Sequence, residues 1–138
     1  MTTFARLVSV LLGLAVAACA WLPWVVSTNA WHLHVRSLLS PGQNDGVVLA
    51  TSLGLALTVA AGLVVLGALL NSRTLVIIGG LLSVAIPAIW ILSNAISRSS
   101  GGVPLAQIQF GAYGAAVAGF MTLILAAVAT DTRVPTTR

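Results

Sequence analysis

A chain of 138 residues is long enough for one domain, but its composition does not suit a protein surrounded by water. Apolar residues make up 59% of the chain, only 6% of its residues are charged, and its mean hydropathy is +1.08. Soluble domains carry about 25% charged residues, so polar side chains here are too few to cover a soluble domain. The net charge of +4 does not indicate nucleic-acid binding, because the basic residues are scattered singly instead of clustered on one face.

Four apolar stretches follow one another along the chain, at about residues 7–26, 47–70, 75–95 and 108–130. Each has no charged residue and roughly the 20 residues that a helix needs to cross a hydrocarbon core. They lack the alternation of a membrane β-barrel wall, and helices satisfy their own backbone hydrogen bonds in lipid. The sequence predicts an all-α fold, a four-helix transmembrane bundle. We expect one transmembrane domain over residues 1–138, with outer loops at 27–46 and 97–107.

The arginines predict the orientation of this bundle. Four of them fall on the side that holds both chain ends and two fall on the opposite side: Arg6, Arg73, Arg133 and Arg138, then Arg36 and Arg98. Basic residues close to helix ends favour the cytoplasmic side of a membrane. We therefore predict a multi-pass protein of the plasma (inner) membrane with its N- and C-termini in the cytoplasm.

Six of the eight aromatic residues gather near the predicted outer ends of the helices. They are Trp21, Trp24, Trp31, Trp90, Phe110 and Tyr113. Tryptophan and tyrosine commonly anchor a protein at the membrane–water interface, although such belts normally occur on both sides. The one-sided distribution leaves two interpretations, simple anchoring or an aromatic contact surface for a lipid or a partner protein. For the second interpretation the contact residues are the four tryptophans and Tyr113.

Small residues recur at four-residue spacing in each predicted helix. The glycines among them are Gly13, Gly54, Gly62, Gly79, Gly111 and Gly119. Residues four apart lie on one helix face, and small side chains let helix backbones approach closely in lipid. We predict that these glycines pack helices together. Their partners are either the other helices of this chain or, on the second or fourth helix, those of another subunit.

The segment from Trp31 to Arg36 alternates apolar and polar residues. In an extended conformation, His32, His34 and Arg36 would share one face. A His-x-His pair can bind zinc or copper, but a structural zinc site needs four ligands and a catalytic one three. We therefore predict no metal site, with His32 and His34 as the candidate ligands if there is one.

Catalysis is not indicated by the reactive residues. The two carboxylates, Asp45 and Asp131, fall on opposite sides of the predicted membrane, and there is no nucleophile-elbow pattern. We predict no catalytic residue, no cofactor and no enzymatic activity. The residues Val16-Ala17-Ala18-Cys19 fit a bacterial lipobox, but Trp21 and Trp24 follow where lipoproteins usually turn polar. Whether Cys19 is lipidated stays open.

Three short motifs of the sequence are Leu22-Pro23-Trp24, Asn44-Asp45-Gly46 and Gly111-Ala112-Tyr113-Gly114. In these motifs the chain looks like the small uncharacterised four-helix integral membrane proteins of actinobacteria. Arginine without lysine, together with abundant alanine, glycine and valine, is typical of a high-GC genome. The chain resembles that group over nearly its whole length, and the resemblance implies membrane location and four-helix architecture only.

These patterns lead to one functional expectation and one alternative. We expect a non-enzymatic accessory or structural subunit of a larger cell-envelope membrane complex, whose partners are the lipid bilayer and other membrane protein subunits, not nucleic acid. The alternative is a self-associating transport protein for a lipid or small solute. It would line a path with the polar residues of the helices, among them Thr58, Ser83 and Asn94. No Asp, Glu, Lys, Arg or His lies in the apolar stretches, which argues against a proton-coupled carrier.

Overall fold

The computed structural model describes residues 2–26, 28–33, 35–38, 51–96 and 105–129. Within these residues the fold is all-α with four helices. Helix α1 spans Thr3–Cys19, α2 spans Leu53–Leu69, α3 spans Arg73–Ile96 and α4 spans Phe110–Val128. Two of them, α3 and α4, are long and apolar enough to cross a membrane by length and composition.

The predicted third and fourth helices agree with α3 and α4 to within two residues. The first prediction begins and ends too late in the chain, and the second is too long. The chain leaves the helix after Cys19, and Pro23, which lacks a backbone N–H, stands in a strand where a helix was predicted. Helix α2 begins only at Leu53, because Ser52 caps it with a side-chain oxygen that accepts from Leu55 N at 3.1 Å. Residues 47–50 of the predicted second helix lie outside the described residues.

The four helices pack in a ring, in which α1 contacts α2 and α4, and α3 contacts the same two helices. Helices α2 and α3 are joined by a short turn in which Asn71 has a positive φ of 53°. Ser72 N donates to Gly67 O at 2.8 Å and Asn71 N donates to Ala68 O at 3.3 Å. These two bonds form a Schellman motif, which ends α2 and reverses the chain into α3.

One end of the ring is closed by short irregular segments. A two-stranded antiparallel ribbon pairs β1 (Pro23–Val25) with β2 (Thr28–Asn29), and Val25 also bridges to Ile108. Two main-chain bonds fasten these segments to the helices: Gln109 N to Trp24 O at 2.9 Å and Leu53 N to Leu33 O at 2.8 Å. All four tryptophans belong to this end, which we call the tryptophan end. The opposite end carries Arg6 and Arg73, and we call it the arginine end.

At the arginine end, Arg6 of α1 holds the C-terminus of α2. Its Nε donates to Ala68 O at 3.0 Å and its Nη2 donates to Leu69 O at 2.8 Å. The last carbonyls of a helix lack intrahelical partners and carry partial negative charge, so a guanidinium is a favourable cap there. This contact fixes α1 beside α2 through residues more than 60 positions apart.

We expect Arg6→Gln to lower the free energy of unfolding by about 1–2 kcal/mol, because two charge-assisted hydrogen bonds are lost from a partly exposed site. The measurement is thermal unfolding in detergent, followed by circular dichroism. Arg73→Gln is the matched control, since Arg73 is exposed in the first turn of α3, where a positive charge is unfavourable to the helix dipole. An equal loss in both variants would contradict the capping role of Arg6.

Candidate functional site

The outer surface of the helices is apolar. Large exposed side chains follow the outward faces of all four helices: Phe4, Leu7, Leu11 and Leu14 on α1, Val59, Leu66 and Leu69 on α2, Ile78, Leu81, Leu82, Ile89, Leu92 and Ile96 on α3, and Phe110, Tyr113, Val117, Phe120, Met121, Ile124 and Val128 on α4. Only 33% of the most apolar part of α3 and 39% of that of α4 is buried. The core helix of a soluble protein would be mostly buried, so these helices present their hydrocarbon outward.

Polar and small side chains face inward instead. Three buried hydroxyl or amide groups donate to a carbonyl four residues earlier in their own helix. They are Ser83 Oγ to Gly79 O at 2.8 Å, Asn94 Nδ2 to Trp90 O at 2.8 Å and Thr122 Oγ1 to Ala118 O at 2.9 Å. Thr58 makes the same kind of bond to Gly54 O. Ser9 differs, because its buried Oγ has no partner among the described residues.

Three of the predicted packing glycines lie where two helices touch. A Cβ atom on Gly13 would lie 2.8 Å from Val65 Cγ2 of α2, and one on Gly119 would lie 2.8 Å from Ser83 Cβ of α3. A Cβ atom on Gly79 would lie 2.7 Å from Ala60 O and Val64 N, both backbone atoms of α2. These contacts are closer than side chains allow, so the absence of a Cβ sets the distance between the helices.

Two further predicted glycines pack against tryptophan rings instead of against another helix. A Cβ on Gly54 would lie 2.5 Å from the Trp31 ring, and one on Gly111 would lie 2.4 Å from Trp24 Cδ1. Each glycine is at the start of its helix, at the tryptophan end. They therefore let the irregular segments close over the helices.

Gly62 has no close helix contact in the part of the chain that the structure describes, so the first of its two predicted partners is not found there. No atom lies within 4 Å of the position that its Cβ would occupy. It is the one glycine in the described ranges for which this holds. By helical spacing it shares the outward face of α2 with Val59 and Leu66, both exposed. The outward position of Gly62 is compatible with the alternative prediction, in which this face of α2 docks against another subunit.

The tryptophans separate into a buried pair and a surface pair. Trp24 and Trp90 are 0% and 1% exposed, and their rings meet edge to face with centroids 5.5 Å apart. Trp24 Nε1 also donates to Cys19 O at 2.9 Å. The prediction that these two residues contact a lipid or a partner is wrong for the folded chain, because both side chains are buried. Their positions near helix ends do not reveal that irregular segments cover them.

The second pair lies at the surface of the tryptophan end. Trp21 is 70% exposed, and its ring centroid is 5.2 Å from that of the half-buried Trp31. Tyr113 is 45% exposed at the start of α4. These three positions are accessible to a lipid or a partner protein, as the contact interpretation requires of them.

The segment around His32 is not extended, contrary to the prediction from its alternating pattern. Ala30–His32 and Val35–Leu38 are short 3₁₀ helices. His32 Nδ1 lies 2.7 Å from Asn29 Oδ1, so the ring is oriented by a neighbour in sequence. His34 lies outside the described residues, and no group of three potential metal ligands occurs in the part of the chain that the structure describes.

Cys19 is buried in the last turn of α1. A Cβ on Gly114 of α4 would lie 3.0 Å from Cys19 Sγ, so the thiol lies in the contact between these helices near the tryptophan end. Cleavage at a lipobox, directly before Cys19, would remove the rest of α1 and its contacts with α2 and α4.

A groove between α1 and α4 was not anticipated from the sequence. It has a volume of about 360 Å³ and lies along the half of the two helices nearer the arginine end. Its lining consists of Val8 and Leu12 of α1 and of Met121, Ile124, Leu125 and Val128 of α4. The spacing places each set on one helix face, but the sequence does not reveal that α1 and α4 are neighbours.

The charges described in the structure are all basic. Arg6 and Arg73 lie at the arginine end, and Arg36 lies at the tryptophan end. Asp45 and Asp131 both fall outside the described residues. Comparison of the chain with protein-family models, curated proteins and solved structures gave no match.

Proposed function

We propose that this chain is a multi-pass plasma-membrane protein whose four helices all cross the bilayer as one bundle, and that it acts as a non-enzymatic accessory subunit of a larger membrane complex. The observation that carries the proposal is the apolar outer surface. Phe4 and Ile96 are each 73% exposed and Phe110 is 83% exposed, although each is fully apolar. Water would drive such a surface to aggregate, whereas lipid solvates it.

The helix lengths support four crossings. Helix α3 has 24 residues and α4 has 19, while α1 and α2 have 17 each, which is the lower limit of about 17 to 25 residues for a transmembrane helix. At the tryptophan end the apolar, non-helical residues Leu22–Val26 extend the hydrophobic length of α1. Their strand is paired on both sides, with β2 and with Ile108, as backbone near lipid requires.

The orientation that we propose places the arginine end and both termini in the cytoplasm. Arg6 and Arg73 lie at that end, and Arg133 and Arg138 follow α4 in the sequence. The exposed aromatic residues Trp21 and Tyr113 lie at the other end, where they suit the outer interface. The asymmetry of arginine and tryptophan thus favours one direction of insertion.

The accessory role is supported by the outward face of α2. A glycine inside a helix costs about 1 kcal/mol relative to alanine. Gly13, Gly79 and Gly119 offset this cost through close helix contacts, whereas Gly62 makes no such contact within the chain. A transmembrane helix of another subunit, seated between Val59 and Leu66, would supply the missing contact.

The alternative of a transport path has less support. Thr58, Ser83 and Asn94 each donate to a carbonyl of their own helix. Because these polar groups have hydrogen-bond partners within their own helices, they do not indicate a polar path through the bundle. We therefore retain the accessory role as the proposal.

The proposal is tested by mild detergent extraction of the tagged chain from its native membrane, followed by native gels. We expect the wild type to migrate in a larger complex and Gly62→Leu to migrate alone, because leucine fills the surface that a partner helix would occupy. Ala88→Leu is the matched control, since Ala88 is an exposed small residue on α3. A wild-type chain that migrates alone in every mild detergent would contradict the accessory role.

A further inference from the structure

The apolar groove between α1 and α4 differs from every helix contact described above. Gly13, Gly79 and Gly119 mark contacts where helix backbones approach closely. In the groove, by contrast, no lining residue is smaller than valine. A helix is about 10–12 Å wide with its side chains, and helix contacts in lipid are enriched in small residues that let the backbones approach. The lining therefore suits a narrow, flexible hydrocarbon chain better than a helix.

The groove has a closed end and an open end. Toward the tryptophan end α1 and α4 meet at Cys19 and Gly114, where a Cβ would lie within 3.0 Å of the sulfur. Toward the arginine end the helices are separated by the groove, whose lining reaches Val8 near the start of α1 and Val128 at the end of α4. From Met121 to Val128 the helix rises by about 10 Å. An occupant would enter from the arginine end and point toward the membrane centre.

The charge at the open end favours an anionic occupant. Arg6 and Arg73 lie at this end of the bundle, and the sequence after α4 carries Asp131, Arg133 and Arg138. Among the described residues, the charged side chains at this end are those of Arg6 and Arg73, and both are basic. Basic residues next to a transmembrane helix attract anionic lipids within about a Debye length, so a headgroup at the surface need not touch a particular arginine.

We propose that the groove binds an acyl chain of an anionic phospholipid from the leaflet at the arginine end. This inference rests on the proposed membrane location, and it adds a ligand class and a binding site. The lining side chains Val8 and Leu12 are half-buried and form the wall on α1, while Met121 and Val128 are exposed and form the outer edge on α4. The acyl chain covers them, and its headgroup lies in the basic interface.

The test is native mass spectrometry of the full chain after reconstitution in nanodiscs with equal amounts of phosphatidylglycerol and phosphatidylcholine. We expect the wild type to retain phosphatidylglycerol in preference to phosphatidylcholine. Val8→Trp fills the groove and is expected to lower retention roughly tenfold, the effect of losing about two buried methylene groups. Val128→Trp, at an exposed position, is a second variant that leaves the helix core unchanged. Val59→Trp, on the outward face of α2, is the matched control and is expected to retain the lipid.

Three results would overturn the inference while leaving the membrane proposal standing. They are unchanged retention in both groove variants, equal retention of the two headgroups, and a dimer that Val8→Trp dissociates, which would assign the groove to a second copy of this chain. Recovery of the chain in the soluble fraction without detergent would instead overturn the proposed function itself.

Discussion

Gly79→Ala is expected to lower the free energy of unfolding by about 2–3 kcal/mol, a large loss for the addition of one methyl group. The new Cβ would lie 2.7 Å from Ala60 O, Val64 N and Val64 Cγ2. Two of these atoms belong to the backbone of α2, so a change of rotamer cannot relieve the clash and the two helices must separate. The measurement is unfolding in mixed micelles with increasing dodecyl sulfate, followed by circular dichroism.

Gly62→Ala is the control for this prediction, and it is expected to shift stability in the opposite direction. Because nothing lies within 4 Å of its Cβ position, the substitution adds no clash. It removes the cost of glycine inside a helix, so the isolated chain should gain about 1 kcal/mol. Equal effects of the two substitutions would show that α2 and α3 do not meet at Gly79 as described.

Trp24→Ala is expected to lower the free energy of unfolding by about 3–5 kcal/mol, as for other large aromatic residues removed from a core. The side chain is fully buried, packs against Trp90 and covers Gly111. Its loss also leaves Cys19 O without the indole donor at the point where α1 ends. We expect the tryptophan end to open first, and amide hydrogen exchange of β1 and of the start of α4 would detect that opening.

Trp21→Ala is the matched control in the same region. Trp21 is 70% exposed, and the aromatic ring that it contacts among the described residues is that of Trp31. We expect a loss of about 1 kcal/mol or less. If Trp21→Ala destabilised the chain as much as Trp24→Ala, the separation of the tryptophans into a buried and a surface pair would be wrong.

The number of helices and their order could be predicted from the sequence, because a long, uncharged apolar stretch is compatible with few structures other than a helix. The ends of α1 and α2 could not. Leu22–Val26 is as apolar as a helix, but Pro23 and the hydrogen bond from Trp24 to Cys19 O favour a strand that folds back over the bundle. Hydropathy reports what surrounds a residue, and it does not distinguish a helix from an irregular segment buried in protein.

The candidate site was less predictable than the fold. The glycines at helix contacts could be found from spacing, yet the same spacing included Gly62, which faces outward. For the tryptophans, position in the chain did not separate the buried Trp24 from the exposed Trp21. The groove needed the ring order of the helices, since Val8 and Val128 are distant in sequence and meet only because α1 and α4 are neighbours. The covering of the tryptophan end by irregular segments and the ring order of the helices both depend on packing, which a single sequence does not reveal.

The central claim is that lipid surrounds the outward faces of the helices, and cysteine labelling in intact cells tests it most directly. In a Cys19→Ser background, Asn29→Cys reports the tryptophan end, Ser72→Cys the arginine end and Val117→Cys the outward face of α4. With a membrane-impermeant maleimide, we expect Asn29→Cys to react in intact cells, Ser72→Cys to react only after permeabilisation, and Val117→Cys to react in neither state. Labelling of Val117→Cys in the folded protein, or of both ends from the same side, would contradict the account.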